Sequence, residues 1–149
     1  LYIIFSMSYK GKYKIKNLKK YRGDPTKITY RSLWEKKFMN YCEENPMIIE
    51  WSSEEIVVRY RSPIDKKIHR YFPDFWIKVK RKTGLTENII IEVKPKKQTS
   101  PPKKPKRVTK RYLSEVYTFG VNEAKWNAAI EFCKIRKWRF EIITEDHLF

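Results

Sequence analysis

Acidic residues are scarce in this chain: 17 Asp and Glu stand against 34 Lys and Arg, a formal net charge of +17 over 149 residues. Left uncompensated, that much like charge repels a compact state, so a polyanion is expected against the surface, and nucleic acid is the first to consider. Cysteine is nearly absent. Cys42 and Cys133 lie far apart, each inside a helix-like pattern, which excludes a disulfide framework and a paired zinc motif. Long apolar runs are missing too. The opening "LYIIF" is shorter than a signal-peptide core or a membrane span, so neither secretion nor membrane insertion is expected. Because Met7 opens a polar stretch, residues 1–6 are expected to be an upstream extension. There is no internal repeat. What remains, at 41% hydrophobic residues, suffices for one core and one domain.

Along the chain, residues 8–31 interleave Lys and Arg with Tyr and Ile without a helical period. They read as a basic N-terminal extension, lying either along phosphates or over the surface of the domain that follows from 32 to 149. Ser32 opens a helix over 32–45 with Phe38, Met39 and Cys42 on one side, stopped by Asn45 and Pro46. The runs 47–51, 55–62 and 68–80 read as an antiparallel meander, and "IIIEVK" as a strand covered on both faces and central in the sheet. The Pro- and Lys-rich stretch 95–111 is a basic loop, either an import-type patch or a cationic flap beside a nucleic-acid site. A second helix is expected from Asn122, with Trp126, Ala129, Ile130 and Cys133 on one face, and a last strand over 139–146. The order is that of an α/β fold, a mixed central sheet with a helix on each side.

The chemistry sits where charge interrupts the central strand. Alternation puts Ile90, Glu92 and Lys94 on one face and Ile91 and Val93 on the other. Asp74 follows Pro73, whose missing N–H favours an edge or bulge just where a side chain can be aimed at the neighbouring strand. Two carboxylates meeting across a sheet are costly unless a divalent cation fills the gap, and all-oxygen ligation suits Mg2+ or Mn2+. Glu35 has two readings. Three residues after Ser32 it has capping-box spacing; in the apolar stripe of its helix it is also a carboxylate that a metal or its water would compensate.

Pro73 and Asp74, a spacer, then Glu92, Val93 and Lys94 resemble the PD-(D/E)xK nuclease superfamily, and the order αβββαβ resembles its restriction-endonuclease-like core. The resemblance implies a metal-dependent DNA endonuclease. Asp74 and Glu92 would hold Mg2+ or Mn2+ with the Val93 carbonyl as a further ligand, Lys94 would orient or activate the attacking water, and Glu35 would bind a water on the ion or a second ion. From Ser8 onwards, "YRSLWEKKFMNYCE", "YFPDFWIK", "IIIEVKP" and "NEAKWNAAIEFCKIRKWRFEIITED" resemble the head-completion nucleases of T4-like tailed phages and, more distantly, the endonuclease subunit of Tn7-type transposases. In both, an arginine-serine pair precedes the helix glutamate, as Arg31 and Ser32 do here. That closer resemblance implies double-stranded DNA as substrate, portal or neck proteins as partners, and a place in the host cytoplasm and the phage head.

Arg31, Lys78, Lys80, Arg81, Lys96, Lys97 and Lys125 lie near the site elements in sequence and are the candidates for phosphate contact; a solvated surface charge is the competing reading for each. Trp126 and Trp138 are expected in the core and His69 to be structural, while His147, near the C-terminus, carries no signal. Two other functions compete with a nuclease. A catalytically silent DNA-binding assembly protein would share the fold, and an RNA binder would use exposed aromatics on a sheet, although clustered carboxylates repel phosphate without a metal.

Overall fold

The computed structural model describes residues 9–149, so the expectation for residues 1–6 lies outside the described residues. Strands β1 (Gly11–Lys12) and β2 (Thr29–Tyr30) pair with each other ahead of helix α1 (Leu33–Glu44). Then come β3 (Ile48–Ser53), β4 (Val58–Arg61), β5 (Ile68–Tyr71), β6 (Phe75–Lys80) and β7 (Thr86–Val93). A long helix α2 (Lys110–Arg136), strand β8 (Arg139–Ile143) and a short helix α3 (Glu145–Leu148) complete the chain. The central sheet has the order β3-β6-β7-β8; its first two pairings are antiparallel and β7–β8 is parallel. The mixed α/β architecture and the central place of β7 are as the sequence predicts.

Strand alternation divides the core. Ile89, Ile91 and Val93 of β7 join Phe75, Ile77 and Val79 of β6 beneath Trp34, Phe38, Met39 and Cys42 of α1. On the other face, Trp126 and Ala129 of α2 pack with Phe140 and Ile142 of β8. Each large apolar side chain buried there contributes roughly 1.5–3 kcal/mol of transfer free energy, which is why both helices lie flat on the sheet.

Three expectations need correction. The meander does not form: β3 pairs with β6, while β4 and β5 make a separate hairpin outside the sheet. The single run expected over 68–80 is broken at buried Pro73, which has no N–H to donate to a ladder, so the chain leaves the hairpin and starts β6 afresh. Helix α2 starts at Lys110, capped by Thr109, and not at Asn122, which lies buried inside it. Its first turns carry Leu113, Val116 and Tyr117 exposed, on the side of the helix away from Trp126, Ala129 and Cys133, so the buried apolar stripe of the second half does not extend into them. Finally, the basic stretch before α1 buries Tyr13, Tyr21 and Ile28 in the main core. Of the two readings of that stretch, covering the domain is the one the fold realises.

Candidate active site

The ends of β5, β6 and β7 converge on Glu92, which is only 7% exposed. Its Oε1 accepts from the Tyr71 hydroxyl at 2.8 Å and from the Asp74 amide at 3.3 Å. In return Asp74 Oδ2 accepts from the Val93 amide at 2.8 Å. The two carboxylates are thereby cross-tied through each other's strands, a closure that depends on Pro73 releasing the chain just before β6. Burial first, then the charges of Glu92 and Glu35, hold the Asp74 carboxyl well above the usual range. Burial likewise raises Glu92, against the Tyr71 hydrogen bond and the nearby cations Lys94 and Lys125.

Glu35 enters from the first turn of α1. Ser32 caps that helix by accepting from the Glu35 amide at 3.1 Å, but the Glu35 carboxylate accepts from the Arg31 amide at 3.3 Å and so does not close a capping box on Ser32. Burial raises Glu35 to about 7, with Glu54 and Glu92 adding to the rise and Arg31 opposing it. Three carboxylates from three elements therefore sit in one another's field. Such a cluster is stable only if protonated or neutralised by a cation.

The donor set suits a divalent cation in a particular way. Among the described residues no three His, Cys, Asp or Glu side chains stand close enough to hold one ion directly. Asp74 and Glu92 each have one oxygen engaged, and no donor among the described residues engages the other. Two carboxylate ligands with Glu35 reaching the ion through water fit this arrangement, and oxygen ligands that retain several waters are what Mg2+ prefers. The Lys94 amide donates to the Ile143 carbonyl at 2.9 Å, which anchors β7 to β8 just past Glu92 and sets the Lys94 ammonium where it lowers both Asp74 and Glu92.

The sequence-predicted cations separate into groups. Arg31 pairs with Glu54 through Nε at 3.1 Å while facing Glu35 and Asp74. Lys125, from α2, sits 5.6 Å from the Tyr71 ring centroid and 5.8 Å from that of Tyr60, close enough to lower Glu92. These two stand beside the carboxylates. Lys78, Lys80 and Arg81 lie toward the opposite end of β6 from Asp74, about 13–23 Å along the chain at ~3.3 Å per residue. Lys78 pairs there with Glu50 and Arg81 with Glu87. Lys96 pairs with Asp146 at 2.9 Å, and Lys97 is exposed on the basic loop.

Two residues at the site escaped the sequence. Tyr71, three positions before Asp74, is the hydroxyl donor to Glu92, and nothing in an alternating strand distinguishes it from a core tyrosine. Glu54 takes a left-handed backbone (φ 53°) and donates its amide to the Asp74 carbonyl at 3.1 Å while its side chain holds Arg31. A positive φ on a non-glycine residue cannot be read from composition. His69, read as structural, pairs with Asp65 at 2.7 Å on the hairpin surface. Trp126 is buried, and Trp138 lies half-buried against Trp76 and Phe132.

Comparison with known proteins bears on this geometry. A family model described as the TnsA-like endonuclease N-terminal domain matches residues 45–145, a span containing Asp74, Glu92 and Lys94. The head completion nuclease of Enterobacteria phage T4 is 47% identical over 146 residues, covering 95% of each chain. No solved structure gives a significant match.

Proposed function

The chain belongs to the TnsA-like endonuclease family, and on that footing we propose that it is a Mg2+- or Mn2+-dependent DNA endonuclease that acts in phage head completion. The observation that carries the reading is the cross-tied pair Asp74 and Glu92, each with an oxygen left to receive a ligand and Lys94 alongside.

Asp74 and Glu92 would hold the cation, with the Val93 carbonyl as a further ligand and Glu35 joined to it through water. A cation bound there supplies neutralisation of phosphate charge and a more acidic water. The chain's own residues do the rest. The Tyr71 hydroxyl and the Asp74 and Val93 amides fix both carboxylates, so little reorganisation is needed when charge develops on the phosphate. Lys94 places a compact positive charge beside that developing charge, where it also orients the attacking water. Arg31 and Lys125 stand beside the carboxylates and are the phosphate contacts best placed for the scissile bond; Lys97 is open to DNA farther out. Double-stranded DNA in the host cytoplasm or the assembling head is the substrate this implies, with portal or neck proteins as assembly partners.

The test is conversion of supercoiled plasmid to nicked or linear product with Mg2+, with Mn2+ and with EDTA, for wild type, Asp74→Ala and Lys94→Ala. We expect metal-dependent cutting that falls at least about a hundredfold in either variant, the scale of losing a preorganised charge at the reacting centre, while DNA retention in a gel persists. Tight binding without cutting in either metal would instead mark a catalytically silent assembly protein.

A further inference from the structure

Over its second half, one face of α2 is core: Trp126, Ala129 and Cys133 are all buried. At 100° per residue the same face, followed toward the N-terminus, carries Lys125, Asn122, Thr118, Glu115 and Arg111, all within about 40° of one line. Toward the N-terminus the buried apolar side chains of this face give way to polar and charged ones. What lies opposite is not solvent. The loop after β7 folds back alongside and places Lys97, Pro101, Pro102 and Lys103 across from Arg111, Thr118 and Asn122, enclosing a groove of about 770 Å3. A second, smaller hollow continues from Thr118 and Asn122 to Tyr117 and Lys125.

The groove therefore has a direction. It runs about 21 Å along α2 from Arg111 to Lys125, at 1.5 Å per residue. Its inner end is Lys125, which lies against Tyr71, the donor to Glu92. Its walls are basic and polar with one acid, Glu115, already paired to Arg111 at 3.3 Å. Phe119 is half-buried in the wall and Tyr117 is 62% exposed beside the inner hollow. A cationic groove with aromatic faces along it is how proteins take single-stranded nucleic acid, each stacked base contributing roughly 1–3 kcal/mol. A cavity of this size accommodates a few linked rings and cannot admit a double helix, whose major groove alone is about 12 Å wide.

We propose that this groove binds a single strand of DNA and leads it to the carboxylates, so that the preferred substrate is a duplex with an unpaired end or flap and not a continuous duplex. The proposal rests on the endonuclease reading for what happens at the inner end, but strand binding itself needs neither metal nor cutting. Arg111 and Lys97 engage phosphates at the outer mouth, Phe119 and Tyr117 offer stacking faces, and Lys125 receives the phosphate next to the scissile bond.

The test uses fluorescently labelled oligonucleotides in EDTA at ~0.15 M salt: one blunt duplex and the same duplex with an unpaired tail of about ten nucleotides, a length within the range of known strand-binding sites. Wild type is expected to bind the tailed duplex about tenfold more tightly than the blunt one. Thr118→Trp, at an exposed helix position where a larger side chain fills the groove without touching the core, should erase that preference and leave blunt-duplex affinity unchanged. The double variant Lys97→Ala/Lys103→Ala should reduce tailed binding more than blunt binding, with unfolding temperatures confirming that both variants fold. Equal wild-type affinity for the two ligands, or a preference that survives both variants, would overturn the proposal. Neither result touches the endonuclease reading, which stands or falls on metal-dependent plasmid cutting by wild type and Asp74→Ala.

Discussion

One oxygen of Glu92 is held by Tyr71 and the Asp74 amide, so this carboxylate can neither swing away nor rotate its second oxygen out of place. Tyr71→Phe removes one of those two donors. Loss of an outer hydrogen bond of this kind typically reduces metal affinity or activity 10–100-fold, and we expect a loss in that range, read as a shift of the Mn2+ concentration needed for half-maximal cutting. Glu35 gives a second test, of stability. Its folded pKa of about 7 lies above the ordinary 4.5, so its stabilising contribution is complete below pH 4.5 and is lost as pH rises through 7. In EDTA, wild type should lose thermal stability across that window relative to Glu35→Gln, which keeps an acceptor for the Arg31 amide and carries no charge. By pH 8 the variant should melt several degrees higher, a gain on the order of 2 kcal/mol at 2–4 °C per kcal/mol. A variant that melts below wild type at pH 8 would show that Glu35 is not destabilised by burial.

Among the elements, the β4–β5 hairpin carries an oddity. Register places Arg59 directly opposite Arg70 on its outer face, with Arg61 opposite Ile68, and no carboxylate among the described residues pairs with Arg59 or Arg70. Like charges directly opposed on a strand pair are destabilising by a few tenths to about 1 kcal/mol. Arg59→Glu should therefore raise the unfolding temperature by about 1–3 °C, with the gain shrinking as salt is added. The inner face of the same hairpin buries Val58, Tyr60 and Tyr71 against α2, and it is this packing that carries the Tyr71 hydroxyl to Glu92. Strand β7 bears the opposite load. Ile90 is fully buried, and Ile90→Ala should cost roughly 2–5 kcal/mol in denaturant unfolding, a value typical of a cavity in a closed core.

For the molecule as a whole, a net charge of +17 makes ionic strength the main control on DNA affinity. Each phosphate neutralised contributes about −0.9 to the slope of log K against log salt for duplex DNA. With Arg31, Lys97, Lys125 and Arg111 as the proposed contacts to a tailed duplex, a slope of roughly −3 to −4 is expected for wild type, less steep by about one unit when a single contacting cation is removed. The carboxylates at the centre of this positive field explain why charge alone does not make a phosphate site. Without a cation they repel the backbone that the surrounding lysines attract.

Much of this was legible in the residues alone. A proline followed by an aspartate, and a glutamate and lysine alternating with isoleucine and valine, are local facts: Pro73 must break a ladder, and Glu92 cannot be buried on β7 without compensation. Helix α1, its Ser32 cap and the central position of β7 follow from capping chemistry and apolar period in the same way. Only the tertiary structure decided which strand pairs with which, because the hairpin β4–β5 and the sheet strands share the same alternating pattern and pairing depends on what the other face meets. It also decided that Tyr71 and Glu54 lie at the carboxylates and that Lys78, Lys80 and Arg81 lie away from them. Sequence distance places all of these near Asp74, but an extended strand carries its far end about 3.3 Å farther away with every residue, while a break or a left-handed turn brings the chain back.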